Sequence, residues 1–186
     1  MRIISGKYKG KKLFLPNDNN TRPLRDMVKE SIFNLINHSN KIDIDIQNSY
    51  ILDLFSGSGS FGLECLSRGA LKVIFLENYQ KAIEILKKNL NLIKYDNRFQ
   101  IIKKDCFEFF ESNKKFDGKF DIIFIDPPFR ELRINNIIEK ILEKKVLNKN
   151  GIMIVHRHKK DISEFTSKIE ILEERKYGVS NIFFMN

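Results

Sequence analysis

Tryptophan is absent from the 186 residues, and cysteine occurs only twice, as Cys65 and Cys106. Two thiols cannot supply the disulfide framework of a small secreted domain. Both lie in segments with helical patterning and read as reduced, buried side chains. Three histidines join these cysteines without any metal-ligand spacing, so no metal is expected. No apolar run approaches the ~20 residues that a membrane-spanning helix needs. The stretch Met1-Arg2-Ile3-Ile4-Ser5-Gly6-Lys7 lacks the apolar core of a secretory signal. A cytoplasmic protein with no membrane attachment is the expectation. Proline is also scarce, with four in the chain, and two of these are adjacent, Pro127 and Pro128.

What the chain has is basic charge and short apolar runs. Lys and Arg outnumber Asp and Glu by 33 to 24, a formal net charge of +9. Part of the surplus sits at the start: Arg2, Lys7, Lys9, Lys11, Lys12, Arg22, Arg25 and Lys29 stand against Asp18, Asp26 and Glu30. Basic segments attract polyphosphates, with strong salt dependence. A Lys-, Asn- and Ile-rich composition gives part of this charge without function, so charge alone favours a nucleic-acid partner only modestly.

From about residue 50, continuous apolar runs alternate with amphipathic stretches. Tyr50–Phe55, Lys72–Glu77, Phe99–Ile102, Phe120–Ile125 and Gly151–Val155 read as strands buried on both faces. Between them, Ala82, Ile83, Leu86, Leu90 and Ile93 recur at helical spacing, as do Ile134, Ile137, Ile138, Ile141 and Leu142. Strand–helix alternation implies right-handed βαβ units in an α/β, doubly wound sheet. The segments around Ile169–Leu172 and Ile182–Phe184 flank Lys176-Tyr177-Gly178 and suggest two antiparallel strands that finish the sheet. Residues 1–48 precede the alternation. In them Ile3–Leu15 is expected to form a basic hairpin turning at Gly6 and Gly10, and Pro23–Asn37 a helix with Val28, Ile32, Leu35 and Ile36 on one face.

The sharpest local signal is Asp53-Leu54-Phe55-Ser56-Gly57-Ser58-Gly59-Ser60-Phe61-Gly62, which leaves a strand and enters a helix. Gly57 and Gly59 permit a tight turn and close approach to a ligand. Glu77, followed by Asn78, stands 18 residues after Gly59, at the end of the next strand, where an acid can accept hydrogen bonds from ribose hydroxyls. A dinucleotide would put its pyrophosphate at this helix N-terminus, but Asp53 would repel it. S-adenosylmethionine carries a cationic amino end that Asp53 can neutralise, so this cofactor is favoured over a nicotinamide. Asp105, after the third strand, can accept from an adenine amino group while the Cys106 amide donates to a ring nitrogen. Asp105 also suits a helix N-cap, and both can hold together.

Asp126-Pro127-Pro128-Phe129 directly follows the fourth strand, and open α/β sheets bind ligands at the carboxyl ends of their strands. An exocyclic base amine is a poor nucleophile, because its lone pair is delocalised into the ring. Acceptors for its hydrogens favour a pyramidal nitrogen and stabilise the growing positive charge. Asp126 supplies a carboxylate and Pro127 a carbonyl; the two prolines stiffen the backbone; Phe129 offers a face for base stacking. As an isolated tetrapeptide this segment would be an ordinary strand-ending turn. The run His156-Arg157-His158-Lys159-Lys160 reads as a solvated loop, and most of the 16 phenylalanines read as core.

The segments Asp53–Gly62, Glu77, Asp105 and Asp126–Phe129 resemble the motifs of class I amino-methyltransferases. Arg2–Leu13 and Arg22–Asn34 resemble the N-terminal signature of the bacterial 16S rRNA (guanine-N2)-methyltransferases of the small ribosomal subunit, and Tyr177-Gly178 fits the same pattern. The resemblance covers essentially the whole chain. It implies a Rossmann-like, seven-stranded sandwich over residues 49–186, with Asp53, Phe55, Gly57, Gly59, Glu77, Asn78, Asp105 and Cys106 around S-adenosyl-L-methionine. It implies an RNA-binding extension over residues 1–48, formed by a basic hairpin and helix, and transfer to a guanine of 16S rRNA in the assembling or assembled subunit; a monomer is the expectation. Three positions depart from the pattern: Leu24 where the family has Thr, Lys29 where it has Arg, and His156 near which it often has an acid. A DNA adenine-N6 methyltransferase and a non-catalytic RNA-binding protein of the same fold are the alternatives.

Overall fold

The computed structural model describes residues 1–18, 23–93, 98–112, 118–161 and 164–186. Each apolar run expected to be a strand is one: β1 (Tyr50–Leu54), β2 (Lys72–Glu77), β3 (Phe99–Lys103), β4 (Phe120–Ile125) and β5 (Leu147–His158). Between them lie α2 (Ser60–Ser67), α3 (Gln80–Ile93), α4 (Cys106–Glu111) and α5 (Ile134–Glu143), and α1 (Asp26–His38) precedes them all. β6 (Ile171–Tyr177) and β7 (Ser180–Met185) close the chain's secondary structure. The sheet has seven strands in the order β3-β2-β1-β4-β5-β7-β6. β1 to β5 are parallel neighbours, whereas β7 runs antiparallel to both β5 and β6.

Strand pleating sends alternate residues to two cores. Ile51 of β1 and Ile122 and Phe124 of β4 pack with α1, α2 and α3, while Leu52, Leu54, Ile123 and Ile125 pack with α4 and α5. Each fully buried Ile, Leu or Phe contributes about 1.5–3 kcal/mol relative to exposure, so both faces need their helical cover. A column of rings links the N-terminal helix to the sheet: Phe33 stacks on Phe61 with centroids 5.3 Å apart, and Phe61 on Phe124 at 4.0 Å. The Arg68 guanidinium lies 4.3 Å from the Phe33 ring centre.

The basic N-terminal segment differs from a regular hairpin. Its two arms share one antiparallel bridge, Arg2 with Lys12. The amides that a longer ladder would use go to α2 instead. Ile4 and Ser5 donate to the Glu64 carboxylate at 2.7 and 2.9 Å, Lys7 to the Ser67 carbonyl at 2.8 Å, and Tyr8 to the Ser67 hydroxyl at 3.0 Å. Gly6 makes this approach possible, since a Cβ there would stand 2.0 Å from the Ser67 carbonyl oxygen. Ile3, Leu13, Leu24, Val28, Ile32 and Phe33 belong to the same buried cluster as Val73, Leu86 and Leu90.

Lys29 corrects the reading of the basic extension. Its side chain is fully buried, with the ammonium donating to the Arg2 carbonyl at 2.7 Å and the Ser60 hydroxyl at 3.1 Å, and the Glu64 carboxylate 3.7 Å away. Desolvation lowers its pKa, opposed mainly by the attraction of Glu64 and Asp26. A cation in that position cannot touch phosphate. Leu24 is buried as well, and the position flanking α1 is occupied by Arg25, which makes no side-chain cap.

The run after Val155 is a second correction. β5 extends three residues further than its apolar core, and His156 and Arg157 are buried within it rather than solvated. Arg157 is compensated by Asp161, at 2.7 Å from its Nε, and its guanidinium lies 4.8 Å from the Phe165 ring centre.

Candidate active site

The carboxyl ends of β1, β2 and β4 open into one cleft, lined by Asp53, Phe55, Gly57, Glu77, Asn78, Asp126, Pro127, Pro128 and Phe129. Pro16, Pro23 and Leu24 of the N-terminal segment contribute to its wall. Nine of the twelve residues expected around a cofactor or substrate line the cleft; Gly59, Asp105 and Cys106 do not, and Asn78 bridges to Asp105. The Asn78 amide donates to the Asp105 carboxylate at 3.1 Å, placing Asp105 beside the rim.

The turn after β1 needs left-handed backbone at three points: Phe55 at φ 56, Gly57 at φ 56 and Gly59 at φ 80. Phe55 is the costly one, because a side chain there crowds its own backbone. The turn is held from two sides. Ser56 donates through its amide to the Leu76 carbonyl at 3.1 Å, and through its hydroxyl to the Asp53 carbonyl at 2.7 Å. Glu77 accepts the Gly57 amide at 2.7 Å with one oxygen and the Asn78 and Tyr79 amides, both at 2.9 Å, with the other.

Asp53 is 1% exposed and accepts the Gly62 amide at 3.0 Å. Burial pushes its carboxyl well above the usual carboxylate range; the Gly62 hydrogen bond opposes this, and the nearby Asp126 and Glu77 charges add to the rise. A buried acid of this kind is a receptive partner for a cationic ligand group, which would offset the desolvation. Asp105 caps α4, accepting the Phe107 and Glu108 amides at 2.8 and 3.3 Å. The Cys106 thiol is buried and its pKa is pushed far up by desolvation, which leaves it unreactive.

Asp126 continues β4 by one residue. Its Oδ1 lies 2.8 Å from His156 Nδ1, and the side chain is 18% exposed. The Phe129 ring meets His156 edge-on at 5.7 Å and His158 at 4.6 Å.

Sequence reasoning missed two participants. His156 was hidden in a polar run, although its place one residue past a parallel strand was the signal: Val155 pairs with Ile125, so the next residues, His156 and Asp126, lie side by side. Asn89 was the other. Fully buried on α3, it donates to the Ser58 carbonyl at 2.9 Å and exchanges hydrogen bonds with the Phe14 backbone, tying the glycine turn to the N-terminal segment. Of the basic residues, Arg2, Lys7, Lys9, Lys11, Lys12 and Arg25 are exposed, with Lys7 and Lys11 flanking the Tyr8 ring at 5.5 and 5.8 Å. Arg22 lies outside the described residues.

Residues 1–186 match the family described as Conserved hypothetical protein 95. The chain belongs to that family. Ribosomal RNA small subunit methyltransferase D of Haemophilus influenzae is 33% identical to it, over 96% of this chain and 90% of that protein. YlbH of Bacillus subtilis is 32% identical over 98% of this chain and 96% of its own length. The solved structure of yhhF from Escherichia coli matches with a TM-score of 0.82 at 25% identity, covering 100% of this chain and 96% of that one. The Conserved hypothetical protein 95 fold in this chain is that of class I methyltransferases, with the α/β seven-stranded sheet expected from the sequence. No helix among the described residues is long and apolar enough to cross a membrane.

Proposed function

We propose that this protein transfers the methyl group of S-adenosyl-L-methionine to the exocyclic N2 amine of a guanine in 16S rRNA of the small ribosomal subunit, acting as a monomer. The observation that carries the reading is Asp126-Pro127-Pro128-Phe129 at the end of β4, in the same cleft as Asp53 and Glu77. Relatives named as small-subunit ribosomal RNA methyltransferases support the substrate class.

The residues present suit this cofactor. Asp53 can take its amino end and Glu77 its ribose hydroxyls, while Gly57 leaves open space where any side chain would intrude on the ligand. The cofactor supplies an activated methyl on a sulfonium. The chain supplies position. Asp126 and the Pro127 carbonyl accept hydrogens from the base amine and favour its pyramidal form, and Phe129 fixes the plane of a base that is splayed out of its stack. Residues 1–48 dock the RNA through Arg2, Lys7, Lys9, Lys11, Lys12 and Arg25, exposed on the segment that also walls the cleft.

The test is methyl incorporation from labelled cofactor into deproteinised 16S rRNA, small subunits lacking the modification and duplex DNA, followed by nucleoside analysis. The expected result is N2-methylguanosine from small-subunit RNA, abolished by Asp126→Ala. Label in N6-methyladenine from DNA would replace the substrate while keeping the chemistry. Failure of the cofactor to bind would remove the enzymatic reading.

A further inference from the structure

The class I fold explains Asp126, but not why a histidine is buried against it. His156 is 5% exposed, in a chain where the only other described histidines, His38 and His158, are not buried. Parallel pairing of β4 with β5 brings Ile125 beside Val155, and one step beyond the ladder this register sets Asp126 beside His156. The contact is therefore fixed by two central strands rather than by a loop. Nδ1 lies 2.8 Å from Asp126 Oδ1. A carboxylate oxygen only accepts, so Nδ1 carries the hydrogen. The other nitrogen, Nε2, is buried and has no partner among the described residues. An N–H at Nε2 would be an unsatisfied buried donor, which is costly. The ring is thus set as a one-sided donor, with its hydrogen turned toward Asp126 and a lone pair turned into the protein.

Resting on the methyl-transfer reading, we propose that His156 is a positioning residue for the reaction: its Nδ1–H holds Asp126 Oδ1, fixing the carboxylate so that Oδ2 is the oxygen presented to the substrate amine. The edge of Phe129 packs on the same imidazole at 5.7 Å, and His158 flanks it at 4.6 Å. One ring thereby sets both the acceptor that polarises the amine and the aromatic face against which the base lies. His156 does not itself carry the departing proton, because the nitrogen facing Asp126 is already protonated.

The substitutions that test this separate the hydrogen bond from the volume. His156→Asn places an amide N–H about where Nδ1 stands. His156→Gln places one nearer Nε2. His156→Leu fills the space with no donor. Misplacing a reacting group costs on the order of 10²-fold in rate, so His156→Leu and His156→Gln should lose about that much kcat, with KM for RNA and cofactor unchanged, and His156→Asn should recover most of it. Equal kcat in the Leu variant and wild type, equal losses in all three variants, or an effect confined to KM would each overturn the proposal. Nitrogen NMR of the wild-type protein without cofactor or RNA provides a reading independent of activity and of any variant's folding. The expected pattern is an Nδ1-protonated His156 whose signal moves in Asp126→Ala; an Nε2-protonated ring overturns the proposal. If wild type methylates no rRNA, the proposed function falls, and the NMR pattern still decides whether His156 holds Asp126.

Discussion

Asp53 sits where an ionised carboxylate is least well solvated, and this has a pH signature. Its folded pKa is raised by burial above its unfolded value. A protonated Asp53 therefore contributes stability that is fully present below the usual carboxylate range, about pH 4, and is lost as pH rises through the folded value. In urea unfolding, Asp53→Asn should lose less stability than wild type over that rise. Cofactor affinity should show the opposite trend, strengthening in wild type as Asp53 ionises and staying flat in the Asn variant; a wild-type affinity that ignores pH would count against Asp53 as the partner of the amino end. Lys29 makes a second case. Removing one partner from a buried charged cluster costs about 3–5 kcal/mol, so Lys29→Ala should lower the urea midpoint substantially. Asp53 and Asp126 were legible in the sequence because their type and place after a strand already limit their use. Lys29 and His156 were not. Their roles depend on Glu64, Ser60 and Asp126, which lie 35, 31 and 30 positions away in the chain, and no local pattern reports such a meeting.

At the level of elements, the glycine turn and α2 are packed to the limit against β2. A Cβ on Gly62 would stand 2.3 Å from Phe75 Cε1 and 2.8 Å from Val73 Cγ1. Overpacking of this kind costs about 1–3 kcal/mol, so Gly62→Ala should lower the thermal midpoint. Gly57→Ala meets no neighbouring side chain, so beyond the ~1–2 kcal/mol cost of a left-handed backbone it should weaken cofactor binding; calorimetric titration with the cofactor separates the two kinds of glycine, since Gly62→Ala should leave affinity unchanged. The five parallel strands were readable as continuous apolar runs because both faces of the sheet are covered. The N-terminal hairpin was readable too, and its arms exchange amide bonds at Ile3, Gly10 and Leu13; what was not readable is that the Ile4, Ser5 and Tyr8 amides turn to Glu64 and Ser67. The overrun of β5 into His156 and Arg157 escaped notice for a related reason: strand pairing with β7 continues through His158 after the apolar pattern stops.

Across the whole molecule, the segment proposed to dock RNA also supplies core residues such as Ile3 and Leu13. Its surface lysines remain available for phosphate. If they neutralise RNA charge, each one removed should reduce the slope of log affinity against log salt by about 0.7–0.9. Lys9→Ala should show that change without loss of stability. Lys29→Ala should show the reverse, lost stability with an unaltered slope, because its ammonium is sealed from solvent.

The strand order carries one more consequence, for synthesis. β7 is synthesised after β5 and β6, yet it lies between them and bonds to both. Until residues 180–185 leave the exit tunnel, β5 presents an open edge and β6 has nothing to pair with. A message broken shortly before that point would yield a chain with its Rossmann-like half complete and an unprotected strand in its middle, the kind of edge that recruits other chains. Translation of residues 180–185 thus decides whether the edge of β5 is covered by its own chain or left open to another.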